Sequence, residues 1–319
     1  MEQYKTQNIK QLYNLLKNKY SKEEIFNKFS NLTLDEKNMT ELITIKPNSN
    51  NLIIYNIYLD KFEEIKTNFF FGNFFSILNL NPFFILSGGI YNGQIINNIK
   101  RYKIIENNEL EEIELNKLNE KRFNHNNIYI QFDNSIIFLG GERKKSCEKL
   151  YLNNNKIEKF PSLNFYRERF SCSLINDSII YVFFGYDLSI SKYLTNIEKI
   201  DVKNPNYFEI ININGEQNYL KKTNFCCVNY YNKKENKNGI FIVGGKNGQK
   251  EDDDDILYYD LNKNEMEKNS KLNEPSSFVN CFFINFDFND NVKIETLWNI
   301  NNKNKIIKFN NKLGKFYCE

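Results

Sequence analysis

Two hydrophobic rhythms divide the chain. Over the first 30 residues Ile9, Leu12, Tyr13, Leu16 and Tyr20 recur at spacings of three and four, the stripe of an amphipathic helix. Ser21 and Glu24 form an S-x-x-E capping box ahead of Ile25, Phe26 and Phe29, which predicts a second short helix. From Leu42 onward the pattern becomes short apolar runs separated by clusters of Asn, Asp, Gly and Lys, as at 51–58, 83–87, 136–139, 179–183 and 240–243. This change predicts a helical segment over 1–38 and an all-β domain over 39–319.

The apolar runs repeat. Three of them end in a glycine pair, Gly88-Gly89, Gly140-Gly141 and Gly244-Gly245, and a fourth ends in the degraded copy Phe184-Gly185. Downstream of each stands an apolar pair about seven residues apart: Tyr102 with Leu110, Leu150 with Ile157, Ile200 with Tyr207, and Tyr259 with Met266. Tyr58 with Ile65 and Phe309 with Phe316 extend the series at both ends. The first members fall at 58, 102, 150, 200, 259 and 309, in steps of 44, 48, 50, 59 and 50 residues. Four strands per unit at this period predict a propeller rather than a helical solenoid. The longest step holds the polar run 232–238, read as a hairpin insertion, and residues 29–34 are the best candidate for a closing strand.

The segment from Arg169-Phe170-Ser171-Cys172-Ser173 through Phe184-Gly185 resembles the opening of a Kelch repeat. In that family an arginine and a small buried residue precede an apolar strand and a glycine doublet. Arg122 and His125 ahead of Gly140-Gly141 fit the same places, and Tyr259-Asp260 with Met266 matches the family's last strands. The resemblance covers about 42–319 and implies a six-bladed Kelch-type β-propeller. It further implies a non-catalytic scaffold that binds a protein partner, of the cytoskeletal or complex-assembly type, through loops between strands.

Composition narrows the chemistry. The chain is 41% hydrophobic and 15% aromatic, enough to bury a core. Its abundant Asn and Lys beside Ile, Phe and Tyr are what AT-rich coding produces, so Asn runs carry little functional meaning. With 43 basic and 40 acidic residues no global field attracts nucleic acid or an anionic membrane, and neither is expected as a partner. The polar start and the lack of a long apolar run predict a cytoplasmic protein, whose six cysteines would stay reduced. One histidine, His125, is too few for a galactose-oxidase-like copper site, and no S-x-D-x-G-x-x-W box supports sialidase-like chemistry. The expectation is therefore no enzyme, no cofactor and no metal, with a sugar-binding or mutarotase-like propeller as the alternative.

Candidate recognition residues follow from geometry. Strands in a propeller are committed to packing, so the loops after the doublets carry specificity. Those loops offer Tyr91, Arg143, Lys144, Tyr186, Lys246 and the acidic residues Asp252, Asp253 and Asp254. Basic residues in one loop and acidic ones in another predict a rim of opposite charges. Cys147 stands in a loop beside Lys144 and Lys145, whose charges are expected to lower its thiol pKa.

Overall fold

The computed structural model describes residues 41–45, 49–56, 61–67, 71–80, 83–105, 109–213, 218–232, 237–272, 284–288, 291–300, 303–310 and 315–318. The helices predicted within 1–38, the closing-strand candidate at 29–34 and Tyr58 lie outside them.

The described residues are all-β, without an α-helix, and no helix among them is long and apolar enough to cross a membrane. In chain order, β1 (Glu41–Ile45), β2 (Asn51–Asn56) and β3 (Lys61–Lys66) form a three-stranded sheet. The second sheet runs β4 (Ser76–Leu80), β5 (Phe83–Ser87), β8 (Ile99–Ile104) and β9 (Leu110–Leu115), with β6 (Ile90–Tyr91) and β7 (Gln94–Ile95) forming a small ribbon between β5 and β8. The third is β10 (Asn126–Ile130), β11 (Ser135–Leu139), β12 (Cys147–Tyr151) and β13 (Lys156–Phe160). In the fourth, β14 (Ser171–Ile175) and β15 (Ile179–Phe183) pair onward to β18 (Ile197–Asp201) and β19 (Glu209–Ile211), past a ribbon of β16 (Tyr186–Asp187) and β17 (Lys192–Tyr193). The fifth is β20 (Cys226–Asn232), β21 (Lys237–Val243), β22 (Asp255–Asp260) and β23 (Glu265–Lys271). The last is β24 (Ile284–Phe288), β25 (Asn291–Ile300), β26 (Lys303–Asn310) and β27 (Lys315–Cys318). Every pairing is antiparallel between consecutive members of its sheet, and the first strands touch in the order β1, β4, β10, β14, β20. This arrangement is consistent with a β-propeller-like fold.

Burial explains why the second strands read as unbroken apolar runs. All five residues of β11 are sealed from solvent. Ile136 and Phe138 pack with Ile85 and Ile99 of the preceding sheet, whereas Ile137 and Leu139 pack with Ile180 and Val182 of the following one. Phe183 and Ile197 likewise meet Ile240, Ile242 and Tyr259 of the fifth sheet. A strand covered on both faces loses its period-2 alternation. Each such side chain contributes about 1.5–3 kcal/mol of burial energy.

The register tests the repeat directly. Tyr102, Leu150, Ile200 and Tyr259 each oppose the residue four before the doublet corner: Phe84, Ile136, Ile180 and Ile240. The pairs Leu150–Ile157, Tyr259–Met266 and Phe309–Phe316 are in register. Two others are not. Tyr102 opposes Glu112, while Leu110 opposes Ile104. Tyr207 is 73% exposed in the turn between β18 and β19, and its neighbour Phe208 takes the buried place. Pro205 breaks the ladder there, and the Asp201 carboxylate accepts the Lys203 N–H at 2.9 Å, lengthening the turn. The insertion at 232–238 falls where β20 and β21, seven residues each, lengthen their hairpin.

Candidate functional site

The doublets make the corners where second strands hand over to third strands. Gly140 has φ +55° and Gly141 +117°, and a Cβ on Gly140 would stand 2.6 Å from the Arg167 carbonyl of the next sheet. The second residue of the corner donates its N–H into that next sheet: Gly89 to the Arg122 carbonyl (2.8 Å), Gly141 to Arg167 (2.9 Å) and Gly185 to Lys222 (3.1 Å). The corner thus bonds neighbouring sheets; at Gly140 it leaves no room for a side chain, whereas in the fourth sheet Phe184 fills the equivalent place with φ 45°.

The same three residues send buried cations under their own corners. Arg122 donates to the Gly140 carbonyl at 2.8 Å and pairs with Glu148 at 2.6 Å. Arg167 donates to the Phe184 carbonyl and pairs with Glu198 at 2.9 Å. Lys222 reaches the Gly244 carbonyl at 3.1 Å and Asp253 at 2.5 Å. Burial lowers the pKa of both Arg167 and Lys222. In the second sheet Gly72 occupies the cation's place and Lys100 stands where the third and fourth sheets carry Glu148 and Glu198, while the fifth sheet has Leu257 there and supplies Asp253 from its corner loop instead. The residue of the fourth sheet equivalent to Arg122 is therefore Arg167, not Arg169. A repeated Leu-Asn-x-x-Arg, at 118–122 and 163–167, is the signal that marks this row.

Two residues further on lies a collar. Phe74, Asn124, Arg169 and Asn224 all have φ between 52° and 55°. Each links to the next by a backbone hydrogen bond between sheets: Asn124 N–H to Phe74 O (3.1 Å), Arg169 N–H to Asn124 O (3.1 Å) and Asn224 N–H to Arg169 O (2.9 Å). Asparagine tolerates this left-handed conformation, whereas Phe74 and Arg169 each bear a steric cost of about 1–2 kcal/mol.

Beside the collar opens a cleft of about 460 Å³, lined by Glu142, Arg169, Tyr186, Tyr193, Lys246 and Lys250 among others. It draws on corner loops of three consecutive sheets. The Tyr186 and Tyr193 rings meet edge to face at 5.2 Å across the β16–β17 ribbon. Glu168, also on its wall, is 3% exposed, and its carboxylate lies 3.7 Å from Arg169 Nε. Burial raises the Glu168 pKa, Arg169 lowers it, and Glu142 raises it again.

The structure gathers some of the expected recognition residues and separates others. Tyr186 and Lys246 line the cleft, and Arg143 is exposed beside Glu142 with φ 50°. Tyr91 is 40% exposed on the β6–β7 ribbon, away from the cleft lining. Lys144 is paired with Glu120 at 2.7 Å. The acidic run is neutralised in place: Asp252 by Lys246 (3.3 Å), Asp253 by Lys222, Asp254 by Lys271 (3.1 Å) and Asp255 by Lys268 (2.6 Å). The rim therefore lacks the strong opposite charges that the composition of its loops suggested. Asp253, Asp254 and Asp255 lie close enough together to hold a metal ion, but each already has its lysine.

His125 is buried, bonds Ser87 Oγ at 2.9 Å, and has its pKa held well below the ordinary 6.5 by burial and Arg122. Cys147 is sealed inside, where burial pushes its thiol up to about 12 instead of the neighbouring lysines pulling it down. Cys226 is disulfide-bonded, against the expectation that all six cysteines stay reduced, while Cys147, Cys172 and Cys227 are free thiols.

No family model matches the chain, and a search of curated proteins finds no match either. Among solved structures the chain is similar in fold to the one described as "Structure of YjhT", with a TM-score of 0.63 and 8% identity over 88% of this chain and 97% of that one.

Proposed function

We propose that this chain is a six-bladed Kelch-type propeller acting as a non-catalytic module that binds a protein partner at the doublet end. Six successive sheets of three or four strands and a sequence period near 50 support the blade number. Doublet corners braced by buried cations support the Kelch type. One observation carries the binding reading: corner loops of three consecutive sheets converge on one cleft, while the strands beneath are buried on both faces. The corner loops offer exposed side chains that the buried inner strands lack. Tyr and Arg at the cleft are the residue types that dominate binding hot spots. A photo-crosslinking residue placed at Tyr91, Arg143 or Lys246 should trap one protein reproducibly. The same residue at Asn154, in the hairpin at the opposite end, should not; equal trapping at both ends would refute the reading.

A second reading has its own support. Carboxylates, cations and tyrosine rings on one concave wall also suit a sugar. Calorimetric titration with neutral and acidic monosaccharides separates the two. The protein-binding reading expects no saturable heat; a saturable response lost in Tyr193→Ala would favour the sugar.

A further inference from the structure

We propose that Arg169 is the anchor of the cleft for a carboxylate side chain, so that the partner presents an acidic segment to the doublet end. This rests on the protein-binding reading and names the chemistry of the partner.

Backbone conformation is the first argument. At the equivalent collar positions Asn124 and Asn224 accept positive φ readily, while Arg169 at φ 54° and Phe74 at φ 55° hold it without that advantage, and of these two Arg169 is the one that lines the cleft. Strained backbone that persists where a better-suited residue would serve marks a functional position. Its amide and carbonyl are locked between Asn124 and Asn224, so the side chain starts from a fixed point at the cleft.

The second argument is what the guanidinium lacks. Unlike Arg122 and Arg167, which are fully buried and paired with glutamates, Arg169 is 47% exposed. Its one charged neighbour, the nearly buried Glu168, approaches Nε at 3.7 Å. No described residue pairs with its two outer nitrogens, the fork that grips a carboxylate through two parallel hydrogen bonds.

The third is the charge around it. Asp252 to Asp255 are each satisfied by a lysine of this chain, whereas Arg143 and Lys250 have no ion pair among the described residues. The groups on or beside the cleft include Glu142, Arg143, Glu168, Arg169, Lys246, Lys250, Glu251 and Asp252, four cations and four acids. With Asp252 held by Lys246 and Glu168 lying against Arg169 Nε, the groups left over are Arg143, Lys250 and the Arg169 fork against Glu142 and Glu251, three cations to two acids. Complementarity therefore favours an acidic ligand.

The test uses the full chain and fluorescein-labelled peptides of one length, rich in Glu and Asp, in Lys, or in Ser and Gly. Fluorescence anisotropy should show saturable binding of the acidic peptide alone, weakening as salt rises. Arg169→Asn puts the residue of the neighbouring collar positions in its place. It should keep the wild-type melting temperature and weaken acidic-peptide binding at least tenfold, and Arg169→Lys should recover only part. Equal binding by wild type and Arg169→Asn, or equal binding of all three peptides, would overturn the proposal. So would displacement of the acidic peptide by inorganic phosphate at micromolar concentration, which would point to a phosphorylated ligand. If the acidic peptide fails while crosslinking at Arg143 still traps a protein, the acidic-anchor assignment alone is lost.

Discussion

Arg167 and Glu198 meet at 2.9 Å with neither side chain reaching solvent, and Arg167 also donates to the Phe184 carbonyl beneath the corner. Removing one partner leaves a buried charge alone, which costs about 3–5 kcal/mol. Glu198→Leu should lose that much in urea denaturation. The double variant Arg167→Met with Glu198→Leu should cost clearly less than the two single changes added together. Additivity within about 0.5 kcal/mol would mean that the two charges are not coupled.

The corners make a sharper prediction. Gly140→Val forces a branched side chain to φ +55° and against a backbone carbonyl, and should destabilise by about 3 kcal/mol or more. Gly93→Ala is the control, because Gly93 has φ +75° with no atom within 4 Å of an added Cβ. It should cost about 1 kcal/mol. Similar losses in both would show that close contact with the next sheet is not what fixes the glycine.

The strands were legible because burial on both faces writes continuous apolar runs, and those at 83–87 and 179–183 match β5 and β15 to the residue. Register positions 102, 150, 200 and 259 were legible for the same reason. The outer pairs were less so: β9 is an edge, where exposure relaxes the demand for an apolar residue opposite another, as Glu112 shows, and the lengthened turn before β19 puts Tyr207 out of the ladder. The cleft was half legible. Loop residues such as Tyr186 and Lys246 could be named from the doublets, but pairing cannot be read along a chain, so Asp253 looked free when Lys222 holds it. Arg167 and Arg169 stand two apart in the chain, and only the corner geometry tells the buried one from the exposed one.

His125 gives stability a pH dependence of known sign. Its folded-state pKa is depressed by burial, so above about pH 6.5 the ring is neutral whether the chain is folded or not. As pH falls through 6.5 the unfolded chain takes up a proton that the folded chain refuses, and stability is lost. The limiting slope is about 1.4 kcal/mol per pH unit. Because the chain has a single histidine, subtracting the profile of His125→Gln from that of wild type isolates this contribution. Wild type should lose stability faster than the variant between pH 7 and pH 5. Parallel profiles would show that the ring protonates in place.

The claim that recognition lies at the doublet end is tested most directly by capturing partners from extracts of cells that express the chain, using two sets of substitutions of equal size. One set, Arg143→Glu, Tyr186→Ala and Lys250→Glu, lies at the doublet end. The other, Asn154→Glu, Lys203→Glu and Lys263→Glu, lies in the turns β12–β13, β18–β19 and β22–β23 at the opposite end of the sheets. Bound partners are quantified by mass spectrometry, and melting temperatures confirm that both variants are folded. The doublet-end set should reduce capture at least tenfold, about 1.4 kcal/mol, while the opposite set retains wild-type capture. Wild-type capture by the doublet-end set, with loss in the other, would place recognition at the wrong end and contradict the account.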